Sequence, residues 1–287
     1  MQPSIFIAGF PRSGSTFLCS LLRGFDGLRV YQEIFHFDIK VIEDHLFGDF
    51  PEIERRYAEA GAGDDIRSAL VKNPSTYIAH LEAINPSKSL ALKVFPDHLD
   101  EKALMSAMGA FDQVVLLRRN LLHSFISLEI AQRSGQWHGA QTKGQKIYFD
   151  ARYFYRYVNR ISTFWGQIKR IADQLKIPVV ELDYEALVAL ENPYDMIAEQ
   201  LHLQSAPGQT GQITRKQDSR RLASDKIYNY SSFIGFLKRH RLDLFNDAGA
   251  AVPAQVWEGF LQDGLFISDY MAAYKLRLQE KIGMLSL

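Results

Sequence analysis

The run "SIFIAGF", residues 4–10, is strand-like, and "STFLCSLLRG" after it has helical spacing through Phe17, Leu21 and Leu22, closing at Gly24. Between the two lies only a tight, glycine-containing turn. A strand passing straight into a helix in this way opens the first crossover of a parallel α/β sheet, and it constrains the fold more than any other feature of the chain. The turn also resembles a phosphate-binding loop. Gly9, Gly14 and Thr16 fit the pattern G-x-x-x-x-G-K-[ST], but Ser15 stands where lysine is required. That lysine spans the β- and γ-phosphates of a nucleoside triphosphate beside magnesium. Without it, the loop suits a smaller anion held by backbone N–H groups of Ser13 to Thr16, by the Ser15 and Thr16 hydroxyls and by the helix dipole, with Arg12 as the cation.

The rest of the chain continues the alternation. "LRVYQEIF" is a second short apolar run, helical patterns extend to residue 84, and "LALKVF" and "QVVLLRRN" follow, separated by a further helix. A long helix is expected from Tyr153 to Leu175 with Phe154, Val158, Ile161, Trp165, Ile168 and Leu175 on one face, before Pro178 opens "VVELDYEAL". Five strands separated by helices predict an α/β fold, a P-loop-like parallel sheet of about five strands flanked by helices. Its ligands would lie at the carboxyl ends of the strands.

With no linker or internal repeat in view, residues 1–287 read as a single domain, with a C-terminal helix at about 254–282 packed on it. Residues 134–150 read as a polar loop over the site. The 33 basic and 33 acidic residues balance, which argues against a nucleic-acid polymer as partner. Cys19 is the sole cysteine and, one turn into a helix, a core residue. No apolar stretch has membrane-spanning length, and a soluble, cytoplasmic protein is expected.

A second cationic motif follows the fourth apolar run. In "LLRRNLLHSFISLEIAQ", Arg118 and Arg119 end a strand, and Ser127 lies on the next helix, eight residues after Arg119. Two cations closing an apolar strand are costly to bury unpaired, so an anionic ligand at this edge is one reading and a solvated helix start the other. Taken together, the two motifs imply a nucleotide with anions at two separate points rather than a linear triphosphate.

"PRSGST" followed by "RRNLLHSFIS" resembles the sulfotransferase family, which uses 3′-phosphoadenosine-5′-phosphosulfate (PAPS) as sulfuryl donor. The resemblance continues in "IPVVELDYEALVALENP" and "IYNYSSF", and reaches about residue 232. It implies that Arg12, Ser13, Gly14, Ser15, Thr16 and Phe17 hold the 5′-phosphosulfate and that Arg119 and Ser127 hold the 3′-phosphate. A basic loop over that phosphate would draw on Arg215, Lys216, Arg220 or Arg221, with Arg215 favoured. Small-molecule members carry lysine at the position of Arg12 and a histidine base two residues after a strand lysine. Here Phe95 stands two residues after Lys93, and the chain is closer to the bacterial and carbohydrate-acting branch, with arginine in the loop and a glutamate base after the second strand.

Glu33 occupies that position, where a carboxylate could take the proton of an acceptor hydroxyl. The acceptor is expected to be a carbohydrate, glycolipid or other alcohol. Lys93 would stabilise the departing bridging oxygen, or would instead pair with an acid such as Asp97 or Glu33. His36 and His98 are lesser candidates, and no metal is expected. Two alternatives remain open at this level. A small-molecule or nucleoside kinase would use magnesium–ATP with Asp183 as metal ligand, and a silent nucleotide-binding module would bind adenosine 3′,5′-bisphosphate (PAP) without transfer.

Overall fold

The computed structural model describes residues 2–59, 66–137, 144–204 and 225–231. Its elements run β1 (Ile5–Ala8), α1 (Ser15–Leu22), β2 (Leu28–Tyr31), α2 (Ile39–His45), α3 (Phe50–Glu59), α4 (Ile66–Lys72), α5 (Pro74–Ile84), β3 (Ser89–Val94) and α6 (Glu101–Met108). They continue with β4 (Gln113–Arg118), α7 (Leu121–Ser134), α8 (Ala151–Leu175), β5 (Val179–Asp183), α9 (Tyr184–Ala189) and α10 (Pro193–Gln200). The expected C-terminal helix and Arg215 lie outside the described residues.

The five strands form one parallel sheet in the order β2-β3-β1-β4-β5. β1 is central and wholly buried, as its unbroken apolar run Ile5–Ala8 requires. The chain leaves β1 for one edge of the sheet and returns later to β4 on the other side, so the strand order reverses beside β1. This is where an open α/β sheet opens a crevice at its carboxyl edge. One face is covered by α1, α9 and α10, whose Leu18, Leu22, Leu187 and Ile197 pack on Ile5, Ile7, Val115 and Leu182. Cys19 lies in this core with its thiol pushed up by burial, as the helical position suggested.

The chain divides into two compact units, residues 1–118 with 163–215 and residues 119–162 with 216–287. The first contains the sheet. In the second, Phe125 of α7 packs against Phe149, Phe154 and Tyr157 at ring separations of 6.0, 5.3 and 5.6 Å. Part of the polar loop expected over residues 134–150 is instead held in place here. Ile147 is buried and bridges Ile227, and the Asn229 amide accepts from the Phe149 N–H at 2.8 Å and donates to its carbonyl at 3.1 Å.

The long helix begins two residues earlier than its periodicity suggested, and its buried face is shifted. Phe154, Val158, Ile161 and Ile168 are buried as expected. Phe164 and Ile171 complete the stripe, while Trp165 and Leu175 are only half-buried. Phe164 meets Phe10 edge-on at 5.4 Å. Phe164→Ala is therefore expected to cost about 3–5 kcal/mol of unfolding free energy. Leu175→Ala should cost clearly less, and urea titrations of the two variants give the comparison.

Candidate functional site

The loop between β1 and α1 is built around two left-handed residues, Arg12 (φ 66°) and Gly14 (φ 91°). At Gly14 a side chain is excluded twice over, since a Cβ there would lie 2.2 Å from the Tyr184 ring. Ser13 spends its hydroxyl inside the loop, accepting from the Phe10 N–H at 3.2 Å, and its own N–H donates to the Phe10 carbonyl. Ser13 therefore shapes the loop. Phe17 packs its ring edge-on against Tyr184 at 5.9 Å.

The first turn of α1 is left uncapped. Asp38, Asp100, Asn120, Asp183 and Asn192 each cap a helix with a side-chain oxygen, but Gly14 has none to offer α1. The N–H groups that begin this helix thus lack the side-chain partner that those five helices supply internally, a lack shared with α5, whose Asn73 makes no cap bond. With the helix dipole behind them, they suit an anion.

Lys93 stands next to this turn. Strand alternation puts it on the same face as Ala91, the face covered by α1, and it has 0% of its surface exposed. Its ammonium donates to Glu33 Oε1 at 2.8 Å and Gln32 Oε1 at 3.1 Å, and lies 3.4 Å from Thr16 Oγ1. Of the two acids considered for it, the ion pair is made with Glu33. Gln32, which sequence reasoning missed, continues the alternation of Leu28 and Val30 past the end of β2. A polar residue in phase with two core positions was the available signal.

Glu33 is placed by anchors on both sides. Before it, buried Tyr31 donates its hydroxyl to Asp49, which also accepts from Arg29 at 2.9 Å, and Asn85 donates to the Tyr31 oxygen at 2.9 Å. This ties the end of β2 to the start of α3 and the end of α5. After it, the His36 N–H closes a turn onto the Glu33 carbonyl at 3.0 Å, and Ile34 and Phe35 are buried beneath. The Glu33 side chain keeps 16% of its surface open. Burial pushes its carboxyl up, but the Lys93 ammonium and its hydrogen bond, helped by His98 and His45, outweigh this and hold it below the ordinary carboxylate value.

A matching turn follows β3, where the His98 N–H donates to the Phe95 carbonyl at 3.1 Å. The rings of His36 and His98 meet edge-on at 6.0 Å. Burial pulls His98 down to about 4 against the opposing pull of Glu33 and Asp97, so it is neutral at physiological pH.

Arg118 and Arg119 have different surroundings. Arg118, the last residue of β4, pairs with Glu181 on the adjacent β5 at 3.1 Å, and Lys169 shares that carboxylate at 2.5 Å. In the second unit, Arg119 immediately precedes Asn120, whose side chain caps α7, and Ser127 is half-buried further along the same helix. Asp183, considered above as a metal ligand, caps α9 by accepting from the Ala186 N–H at 2.7 Å. No helix among the described residues is long and apolar enough to cross a membrane.

A family model described as the sulfotransferase family matches residues 3–207. The chain belongs to the sulfotransferase family. Its structure is similar to that of the sulfotransferase domain from the curacin biosynthetic pathway, with 17% identity over 79% of this chain and 84% of that one and a TM-score of 0.44. It is also similar to a sulfotransferase from Alicyclobacillus acidocaldarius, with 11% identity over 83% and 92% of the two chains and a TM-score of 0.44. No curated protein sequence matches. This sulfotransferase has a parallel α/β sheet, and its glycine-containing turn follows the central strand.

The Lys93–Glu33 pair gives this sulfotransferase a testable pH signature. The depressed Glu33 carboxyl contributes stability that is fully present above its unfolded pKa of about 4.3 and is lost as pH falls through the lower folded value. In Lys93→Met, burial remains without the ammonium, so the carboxyl shifts upward and the sign reverses. The melting-temperature gap between wild type and Lys93→Met should therefore narrow as pH falls from 7 to 3, as read by differential scanning calorimetry.

Proposed function

We propose that this sulfotransferase moves the sulfuryl group of PAPS to an acceptor hydroxyl, with Glu33 as general base. The observation that carries this reading is the position of the Lys93 ammonium, 2.8 Å from Glu33 and 3.4 Å from Thr16 of the anion loop. One buried cation thus adjoins both the loop suited to a donor anion and the group that would deprotonate the acceptor. The 5′-phosphosulfate is assigned to Arg12, to the backbone of Ser13 to Phe17 and to the Ser15 and Thr16 hydroxyls. Arg119 and Ser127 are assigned to the 3′-phosphate, with Arg215 as a further contact.

In the transfer step the acceptor oxygen attacks sulfur and the Glu33 carboxylate takes its proton. The bond between sulfur and the bridging phosphate oxygen breaks, and PAP leaves with the electron pair. Lys93 and Arg12 offset the charge developing on that oxygen. Before the donor binds, Lys93 holds Glu33 at low basicity. A donor anion beside Thr16 would share the ammonium, weaken that hold and raise the basicity of Glu33 when the acceptor is in place. The cations and loop amides supply the countercharge without a metal ion. A carbohydrate or other alcohol fits a carboxylate base, because such a hydroxyl needs its proton removed as it reacts.

Two measurements test this reading. With EDTA present, the protein should bind PAP far more tightly than 5′-AMP, and Arg119→Ala should cost at least about tenfold in PAP affinity, since a charged hydrogen bond is worth about 1.5–3 kcal/mol. Equal affinity for the two nucleotides would remove the 3′-phosphate assignment, and binding that requires magnesium would point to a phosphoryl donor in place of PAPS.

Glu33→Gln keeps an oxygen for Lys93 but removes the base. Turnover in a radiolabelled PAPS assay should fall about 10²–10⁴-fold while PAP affinity barely changes. A melting temperature on the same samples separates loss of the base from loss of the fold.

A further inference from the structure

His98 has a fixed proton. The Phe95 N–H donates to His98 Nδ1 at 3.2 Å, so that nitrogen must present its lone pair, and the neutral ring carries its hydrogen on Nε2. Protonating Nδ1 would set two N–H groups against each other inside a buried turn. The ring is clamped by Phe95 at 5.2 Å on one side and by His36 at 6.0 Å on another. Among the described residues, no group accepts a hydrogen bond from Nε2. His98 is thus a donor at Nε2, and its single basic nitrogen is already engaged. It sits close enough to Glu33 for each to shift the other's titration.

An apolar surface lies next to this donor. Phe37 has 70% of its surface exposed and lies 4.1 Å from the His36 ring at an interplanar angle of 32°. The Asp38 N–H donates to His36 Nδ1 at 3.0 Å, which fixes that ring too. A large exposed aromatic backed by a second, oriented ring suits the C–H face of a saturated ring better than it suits water.

We propose that His98 Nε2–H and the His36–Phe37 ring pair form the acceptor subsite, the histidine donating to an oxygen adjacent to the reacting hydroxyl and the rings supporting the acceptor's C–H face. This rests on Glu33 being the base, and it specifies the acceptor class as a ring alcohol bearing a neighbouring oxygen, as pyranosides do. It gives His98 a binding role, distinct from that of proton acceptor.

The test uses the full chain with radiolabelled PAPS and two probe acceptors, methyl β-D-glucopyranoside and cyclohexanol. Wild type should prefer the glucoside, and His98→Ala should reduce that preference about 3- to 10-fold, mainly through KM, the loss expected for one neutral hydrogen bond. His98→Gln, whose amide can donate, should restore part of it. Independently of activity, histidine ¹⁵N spectra should show His98 Nδ1 unprotonated and Nε2 protonated from pH 5 to 8, with Glu33, Asp97, His36 and Lys93 as the titratable groups facing the ring.

An unchanged preference in His98→Ala, with Glu33→Gln inactive, would overturn the subsite and leave the base reading standing. A fall in turnover for both alcohols equally, with ¹⁵N shifts reporting a proton on Nδ1, would make His98 the base. Failure of every form to sulfate either probe, with PAP still bound, would overturn the acceptor class and the reading beneath it.

Discussion

A lysine with no surface open to water, on a strand next to the centre of the sheet, has to be answered by charge or hydrogen bonds, because isolating an ammonium in the interior costs several kcal/mol. Much of the site's geometry follows from how Lys93 is answered. Its acceptors come from the turn after β2, so β2 must end at Tyr31 and present Gln32 and Glu33 toward β3. That turn needs its own anchors, supplied by the Tyr31–Asp49–Arg29–Asn85 cluster before it and by buried Ile34 and Phe35 after it. Thr16 at the start of α1 then brings the anion loop to the same ammonium.

This arrangement combines chemistry with a stability cost. A buried pair of well-packed apolar residues would hold the sheet edge as firmly as an ion pair or better. Lys93 and Glu33 instead place one cation beside both a carboxylate and the uncapped start of α1. The anion loop makes a similar concession. Arg12 adopts a left-handed backbone, which costs a bulky residue of order 1–3 kcal/mol, in a turn that could have used glycine.

Features encoded within a few consecutive residues were legible in the sequence. The β1 run, the glycine turn, the α1 pattern and the five-strand alternation could all be read because their signals are local. Long-range pairings were harder. Lys93 could have met Asp97 or Glu33, and only the adjacency of β2 and β3 decides for Glu33, 60 residues away. Tyr184 gave no warning that it would pack on Gly14, since that contact depends on α9 covering the same face as α1. Periodicity does not separate Phe164 from Trp165, which are adjacent and both aromatic; both meet Phe10 edge-on, at 5.4 and 6.1 Å, and Phe164 is the one that is fully buried. Residues 144–150 read as a polar loop because the partner that orders Ile147 and Phe149 lies some eighty positions downstream.

The missing cap on α1 has a consequence for how long the protein survives. Five of its helices receive a side-chain cap at the first turn, whereas this one, attached to the central strand, has none, and a bound anion would supply what is missing. Binding there would be coupled to folding, and the folded state would gain RT ln(1 + [L]/Kd) from such an anion, about 2.7 kcal/mol at a hundredfold excess over Kd. Resistance to proteolysis and turnover would then follow the supply of that anion, and a cell depleted of it would carry less of the protein without any change in its synthesis.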